Sequence, residues 1–532
     1  MPVVRWLQMS AAAAGIGLAL VAAPGTAIAD DGTGGSASAG SAGSGRGHAN
    51  AVHSLQPKQS DRAVLSPTVR ALEVSKARTA AVSALSAAQS GRQLSLPVAR
   101  ATAATITAPA TLATSPIGVG LQLFLESAAN FLAGFPANPI TDALQGAVWA
   151  VRRTLFPATV GVVTAPIMVP LTLVNVCFGT VTDGSCSGTT VQRLGIWATL
   201  GSGNPIPQFF EFDTGAAGFH AAYASNDPTA SPWWGTSGVT TGAPISKSFD
   251  SGLNYGGVEA TTTVSFYSSA ASTTALLTTG RVEVGQMNSI TDGKDTLWNA
   301  DGPVDGTAPV DGQFYGDFGA APSYEANGIS NVLNELTFAK GLTAGYRIDV
   351  DAGGQSWLQI GLTDADTEDP AGQYFAMVPD PSAPGGATNP HSGTRYFAPQ
   401  LFLAAINITV GADTLISNSE VGITPDTGAD TTLHNTDRSS QSDAITYAGI
   451  TDGHVLDSGL NFSLTGTTTS GSSVSFLNLT TNDDKQHASN GVVGVQNGTS
   501  DKEVYYLNSG IALFVQNNVV YNMADGTLGL IP

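Results

Sequence analysis

Cysteine is nearly absent from this chain of 532 residues, which carries only Cys177 and Cys186. Two thiols without a nearby histidine pair do not fill a tetrahedral zinc shell, so a thiolate metal centre is excluded. In an oxidising compartment the two would close a small loop, though spacing alone does not fix that pairing. None of the seven histidines lies in His-Glu-x-x-His, and the C-terminal region has no Gly-x-Ser-x-Gly, so zinc-protease and serine-hydrolase readings lack their cues. Charge is sparse, at 12% of residues, and mostly negative, with 21 Lys and Arg against 41 Asp and Glu. Residues 30–165 hold ten Lys/Arg and six Asp/Glu, a net +4, whereas residues 166–532 hold ten and 35, a net −25. An acidic surface of that kind excludes nucleic acid as a partner, because phosphates need a basic patch. It suits either general solubility or work in acid, where protonated carboxylates repel one another less. Aromatic residues are missing altogether from residues 30–115, a stretch rich in Ala, Ser, Gly and Thr that buries too little apolar surface to fold alone.

What the chain does have is a repeated tetrapeptide. Asp-Thr-Gly-Ala occurs at Asp213–Ala216 and again at Asp426–Ala429, each time after an apolar stretch. One Asp-Thr-Gly in a chain rich in Thr and Gly carries little weight. Downstream of each copy, however, stands a second matched pair, Phe249-Asp-Ser-Gly-Leu-Asn-Tyr255 and Leu456-Asp-Ser-Gly-Leu-Asn-Phe462. The same two signals in the same order in both halves point to an old duplication; Asp-Ser-Gly as a mere turn marker is the plainer alternative. Asp213 and Asp426 are therefore the candidate catalytic pair, since two adjacent carboxylates share one proton and can activate a water between them.

On these motifs residues 169–532 resemble a pepsin-type, two-lobed aspartic protease, most closely those of mycobacterial surface proteins of the PE-PGRS type. Ile196–Phe212 resembles the family's strand, turn and strand leading into the first catalytic loop. Gly316-Asp-Phe-Gly-Ala320, Ile329–Leu336 and Trp357–Gly361 follow its order of core turn, helix and closing strand, and Asn518–Leu530 resembles its final hairpin. The resemblance implies an all-β bilobal fold, a peptide or protein substrate, a monomer and no cofactor or metal. It further implies that Thr214 and Thr427 tie the two loops together, that Gly215 and Gly428 permit their tight backbone, and that a flap carries Phe249 and Tyr255. Departures from the family pattern are Ala216 and Ala429, where a hydroxyl is usual after Asp-Thr-Gly, and Asn508-Ser509-Gly510, where an apolar pair and glycine are usual.

The expected organisation is a signal peptide over 1–29, a low-complexity linker over 30–115, a helical segment of the exported-protein kind over 116–165, and protease lobes over 166–380 and 381–532. Arg5, the apolar Ala11–Ala23 and the small-residue site Ala27-Ile-Ala29 support export, hence a secreted or cell-surface protein associated with the cell envelope. The uncharged run Ala158–Phe178 is long enough to span a bilayer, but Pro166, Pro170 and its β-branched residues favour strands. Short alternating runs such as Phe402–Val410, punctuated by Asp-Gly turns, fit an all-β domain. Asp349-Val-Asp351 and Asp364-Ala-Asp366 lack a complete calcium-loop spacing and read as turn acids. Two functional readings stand: an exported aspartic endopeptidase, and a surface binding or structural protein that retains the same fold, with the paired alanines as its symptom. The basic segment before residue 166 is either a propeptide held by the acidic domain or a passive tether.

Overall fold

The computed structural model describes residues 162–532, apart from short gaps at 179–180, 183–184, 250, 352, 354, 384–385, 387 and 390–391 and longer ones at 436–453, 483–490 and 498–505, together with Leu125, Val148 and Val151. The expected signal peptide, the linker, nearly all of the helical segment and Asp250 of the first Asp-Ser-Gly lie outside the described residues.

Alternation of apolar and polar residues makes these segments strands. Phe402–Val410 buries every second side chain through most of its length, and Asn461–Thr467 does the same, as a period of two requires. The principal strands are β1 (Ile167–Phe178), β2 (Thr189–Leu200), β3 (Gln208–Asp213), β4 (Ala217–Ala222), β5 (Thr240–Ser248), β6 (Leu253–Tyr267), β7 (Leu277–Asp292), β8 (Gly316–Ala320), β9 (Thr343–Asp349), β10 (Ser356–Leu362) and β11 (Gln373–Ala376). They continue with β12 (Phe402–Val410), β13 (Asp413–Thr424), β14 (Thr432–Asn435), β15 (Asn461–Thr467), β16 (Ser473–Thr480), β17 (Gly494–Asn497), β18 (Tyr506–Asn508), β19 (Asn518–Asn522) and β20 (Thr527–Ile531). The all-β expectation is met. Ile167–Phe178, in the run weighed as a membrane span, is a strand, and no helix of the described residues is long and apolar enough to cross a membrane.

The strands form two large sheets. In the first, β7-β4-β8-β3-β2-β1-β10-β9-β19-β20-β11 are neighbours in that order, and β6 joins β5 to β7 and β2; in the second the order is β17-β14-β18-β13-β12-β15-β16. One pattern recurs in both. The strand before the first Asp-Thr-Gly, β3, pairs in parallel with β8, β8 pairs antiparallel with β4, and β4 pairs in parallel with β7. In the second sheet β13 pairs in parallel with β18, β18 antiparallel with β14, and β14 in parallel with β17. Asn508-Ser509-Gly510, the departure at the C-terminus, thus sits where Gly319 and its neighbours sit in the first half. It leads into the helix α1 (Gly510–Gln516), and Gly510 has φ +59, with a Cβ there colliding with the backbone of Asp430 and Thr431. The helix that the resemblance implies over Ile329–Leu336 is shorter than expected. It is one 3-10 turn, Val332–Glu335, started by Asn331, whose Oδ1 accepts from Leu333 N at 2.9 Å.

Aromatic packing holds the first motif from below. Phe210 meets Phe219 edge-on at 4.8 Å, and Phe318 packs against Phe212 at 5.8 Å and Phe219 at 5.0 Å, all with no exposed surface. The C-terminal hairpin β19–β20 lies between β9 and β11, so the last residues complete the first sheet. Cys177 and Cys186 are joined by a disulfide at the loop end of the β1–β2 hairpin.

Candidate active site

Both Asp-Thr-Gly segments follow directly on a buried strand end, β3 for Asp213 and β13 for Asp426, and the two loops meet. Thr214 N donates to Thr427 Oγ1 at 3.1 Å and Thr427 N to Thr214 Oγ1 at 3.1 Å. Each hydroxyl then donates across to the other strand, Thr214 Oγ1 to Pro425 O at 3.0 Å and Thr427 Oγ1 to Phe212 O. Four buried bonds related by an approximate twofold therefore clamp segments 213 residues apart, and neither threonine is more than 3% exposed. Within each loop the glycine amide turns back on its own aspartate: Gly215 N donates to Asp213 Oδ1 at 2.7 Å and Gly428 N to Asp426 Oδ1 at 2.9 Å.

Each glycine also makes room for the opposite carboxylate. A Cβ on Gly428 would lie 2.6 Å from Asp213 Cγ, and one on Gly215 would overlap the Asp426 carboxylate. The carboxylates are thus brought together by backbone that only glycine allows to approach so closely. Burial, then repulsion by Asp213 and a hydrogen bond with the Asp213 carboxyl, hold the Asp426 pKa well above its ordinary value. Asp426 is 7% exposed and Asp213 more open.

Ala216 and Ala429 follow without a hydroxyl. Ala216 instead offers its backbone oxygen to Ala321 N at 2.8 Å, which fixes the first loop against β8. Phe249 and Tyr255 belong to the hairpin of β5 and β6, whose turn is closed by Gly252 N donating to Phe249 O at 3.0 Å. Their rings lie 5.0 Å apart, and Tyr255 is 2% exposed and set 6.4 Å from His220.

Several titratable groups close to the pair belong to no motif. Arg193 of β2 binds Asp430 at 3.0 Å, immediately after the second motif, and approaches Glu211 at 3.5 Å. Glu211, Asp317 and His220 are all buried. Burial raises the pKa of Glu211 and Asp317 well above the usual carboxylate range, and neighbouring Asp311 and Asp213 add to the two respectively. Burial, with Lys247 nearby, lowers that of His220 to about 3. Their one sequence signal is position: Glu211 stands two residues before Asp213, and Asp317 lies in the segment read as the core turn. Two of the four acids weighed for calcium, Asp349 and Asp366, are engaged otherwise. Arg347 Nε binds Asp349 at 2.6 Å, and Asp366 accepts from Thr363 N at 2.8 Å and Gln359 at 2.9 Å. Among the described residues no three His, Cys, Asp or Glu form a metal-holding group.

No protein-family model and no curated protein matches the chain. Among solved structures, the aspartic proteinase from Irpex lacteus aligns with 69% of this chain and 97% of its own, at 16% identity and a TM-score of 0.38. The chemistry is therefore read from this chain's own residues.

Proposed function

We propose that the chain is an exported aspartic endopeptidase in which Asp213 and Asp426 activate water against a peptide bond. The observation that carries this reading is the reciprocal Thr214–Thr427 clamp, which sets each aspartate beneath the other loop's glycine. The proton of the pair is assigned to Asp426, the more enclosed member, whose pKa burial and Asp213 raise. Asp213 takes a proton from water as its oxygen attacks the scissile carbonyl carbon, while Asp426 gives its proton to the carbonyl oxygen. The resulting diol collapses when Asp213 passes its proton to the departing nitrogen and the diol hydroxyl returns one to Asp426. Neither step needs a metal or an organic cofactor.

Ala216 and Ala429 favour a second reading, a binding protein of the same architecture, because neither supplies a hydroxyl to the carboxylates. One experiment separates the two. The full chain is incubated with a peptide library over acid and neutral pH, with and without pepstatin, beside Asp213→Asn and Asp426→Asn. Endopeptidase action predicts cleavage that is strongest in acid, blocked by pepstatin and abolished in both variants. Substantial cleavage by either purified variant defeats the dyad assignment, and an inert parent supports the binding protein.

A further inference from the structure

Along β3 the side chains of Phe209, Glu211 and Asp213 alternate with those of Phe210 and Phe212, so Glu211 shares a face with the proposed catalytic carboxylate. The ladder carries that face sideways. Glu211 pairs with Asp317 of β8, Asp317 with His220 of β4, His220 with Gly285 of β7, and Gly285 with Glu259 of β6. Directly paired residues project from the same side of a sheet. Glu211, Asp317, His220 and Glu259 therefore form one buried polar row, while Phe210, Phe212, Phe219 and Phe318 fill the other face. The row runs two residues from Asp213, roughly 7 Å along a strand, which is within reach of a side chain next to the scissile bond.

Asp317 stands out within the row. It is 2% exposed, and neither carboxylate oxygen has a hydrogen-bond partner; His220 Nε2, beside it in the ladder, has none either. A buried carboxylate left in that state is costly. The nearby cations are already committed: Lys247 binds Glu325 at 2.5 Å, and Arg193 is shared between Asp430 and Glu211. Burial is the first cause of the raised Asp317 pKa; Asp213, Asp426 and Glu325 add to it as like charges, and Lys247 offsets them in part.

We propose that Asp317, with Glu211 beside it, binds the cationic side chain of a lysine or arginine adjacent to the scissile bond. This rests on the endopeptidase reading above. An incoming guanidinium or ammonium supplies the donors that both oxygens lack, in a site shielded from water where a charged hydrogen bond is strong. Tyr255 of β6 stands at the row, its ring 6.4 Å from that of His220.

The full chain is assayed on peptides identical except for Lys, Arg, Leu, Gln or Glu at either residue flanking the cleaved bond. At one of these positions kcat/KM for Lys or Arg over Leu is at least about ten-fold in the parent and falls to roughly one in Asp317→Asn, as expected when a buried charge pair is removed. Asp317→Glu, which keeps the charge, restores part of the preference, and thermal unfolding of each variant separates lost selectivity from lost fold. A parent that cleaves the leucine peptides as well as the basic ones overturns the inference and leaves proteolysis standing, whether or not the variants fold. Basic preference that persists in Asp317→Asn overturns the assignment to Asp317. Absence of cleavage of every peptide by the parent overturns the endopeptidase reading and this inference with it.

Discussion

Each threonine of the motif loops does two jobs at once, accepting from the opposite amide and donating to the opposite carbonyl. Thr214→Val or Thr427→Val keeps the volume and leaves one buried amide and one buried carbonyl without their partner. Each unmade bond of that kind costs about 1–3 kcal/mol, so either variant lowers stability by a few kcal/mol and separates the carboxylates, which denaturant unfolding and peptide cleavage measure together. The glycines are more restrictive still. Gly428→Ala places a methyl group 2.6 Å from Asp213 Cγ, and overpacking of this sort costs roughly 1–3 kcal/mol. Cleavage falls by more than stability does, because the displaced atoms are the proposed catalytic ones. A Gly428→Ala protein with undiminished activity contradicts the geometry described.

Elements meet at the site through one cation. Arg193 on β2 reaches Asp430, just beyond the second motif, and Glu211 on β3, with 7% of its own side chain exposed. Its guanidinium retains a raised pKa despite burial, the largest effect and a lowering one, because Asp430 and Glu211 more than offset it. Arg193→Met fills most of the same space and leaves two carboxylates uncompensated. Removing one partner of a buried ion pair costs roughly 3–5 kcal/mol, so this variant is less stable than the parent by about that amount at neutral pH and recovers part of the loss in acid. Equal stability of the two proteins across pH, measured by chemical unfolding, shows that the bridge contributes nothing.

For the whole molecule, buried titratable groups set opposing pH limits. Asp426, Asp317 and Glu211 have pKa values raised above their ordinary 3.8 and 4.5. The stability they contribute is complete below those ordinary values and is lost as pH rises through the raised ones. His220 acts the other way: lowered from 6.5 to about 3, it contributes stability that is present above 6.5 and is lost as pH falls toward about 3. The net −25 of residues 166–532 reinforces the loss on the alkaline side by self-repulsion. Above about pH 4 three carboxylates lose stability while one histidine gains it, so the melting temperature is highest near pH 4 and falls toward neutrality. Asp317→Asn flattens the fall toward neutrality and His220→Gln flattens the fall toward acid. Melting curves that coincide for all three proteins at every pH disprove this account.

Local chemistry alone determined much of this protein. Period-two alternation in Phe402–Val410 fixes a strand without reference to anything distant, and Asp-Thr-Gly written twice marks both loops, because each glycine amide turns back on the aspartate two residues before it, a local requirement. The 3-10 turn at Val332–Glu335 was less legible, since its start depends on Asn331, whose Oδ1 accepts from Leu333 N while its Nδ2 donates to Ala320 O at the end of distant β8. What only the tertiary structure decided is who faces whom. Glu211 and Asp317 are 106 positions apart in the chain and become neighbours through a parallel pairing of β3 with β8, and Arg193 meets Asp430 only because the second motif loop lands against β2. Residue type and spacing state which groups can do chemistry; register between distant strands, fixed by the burial of the whole aromatic face beneath, states which of them are brought to one place.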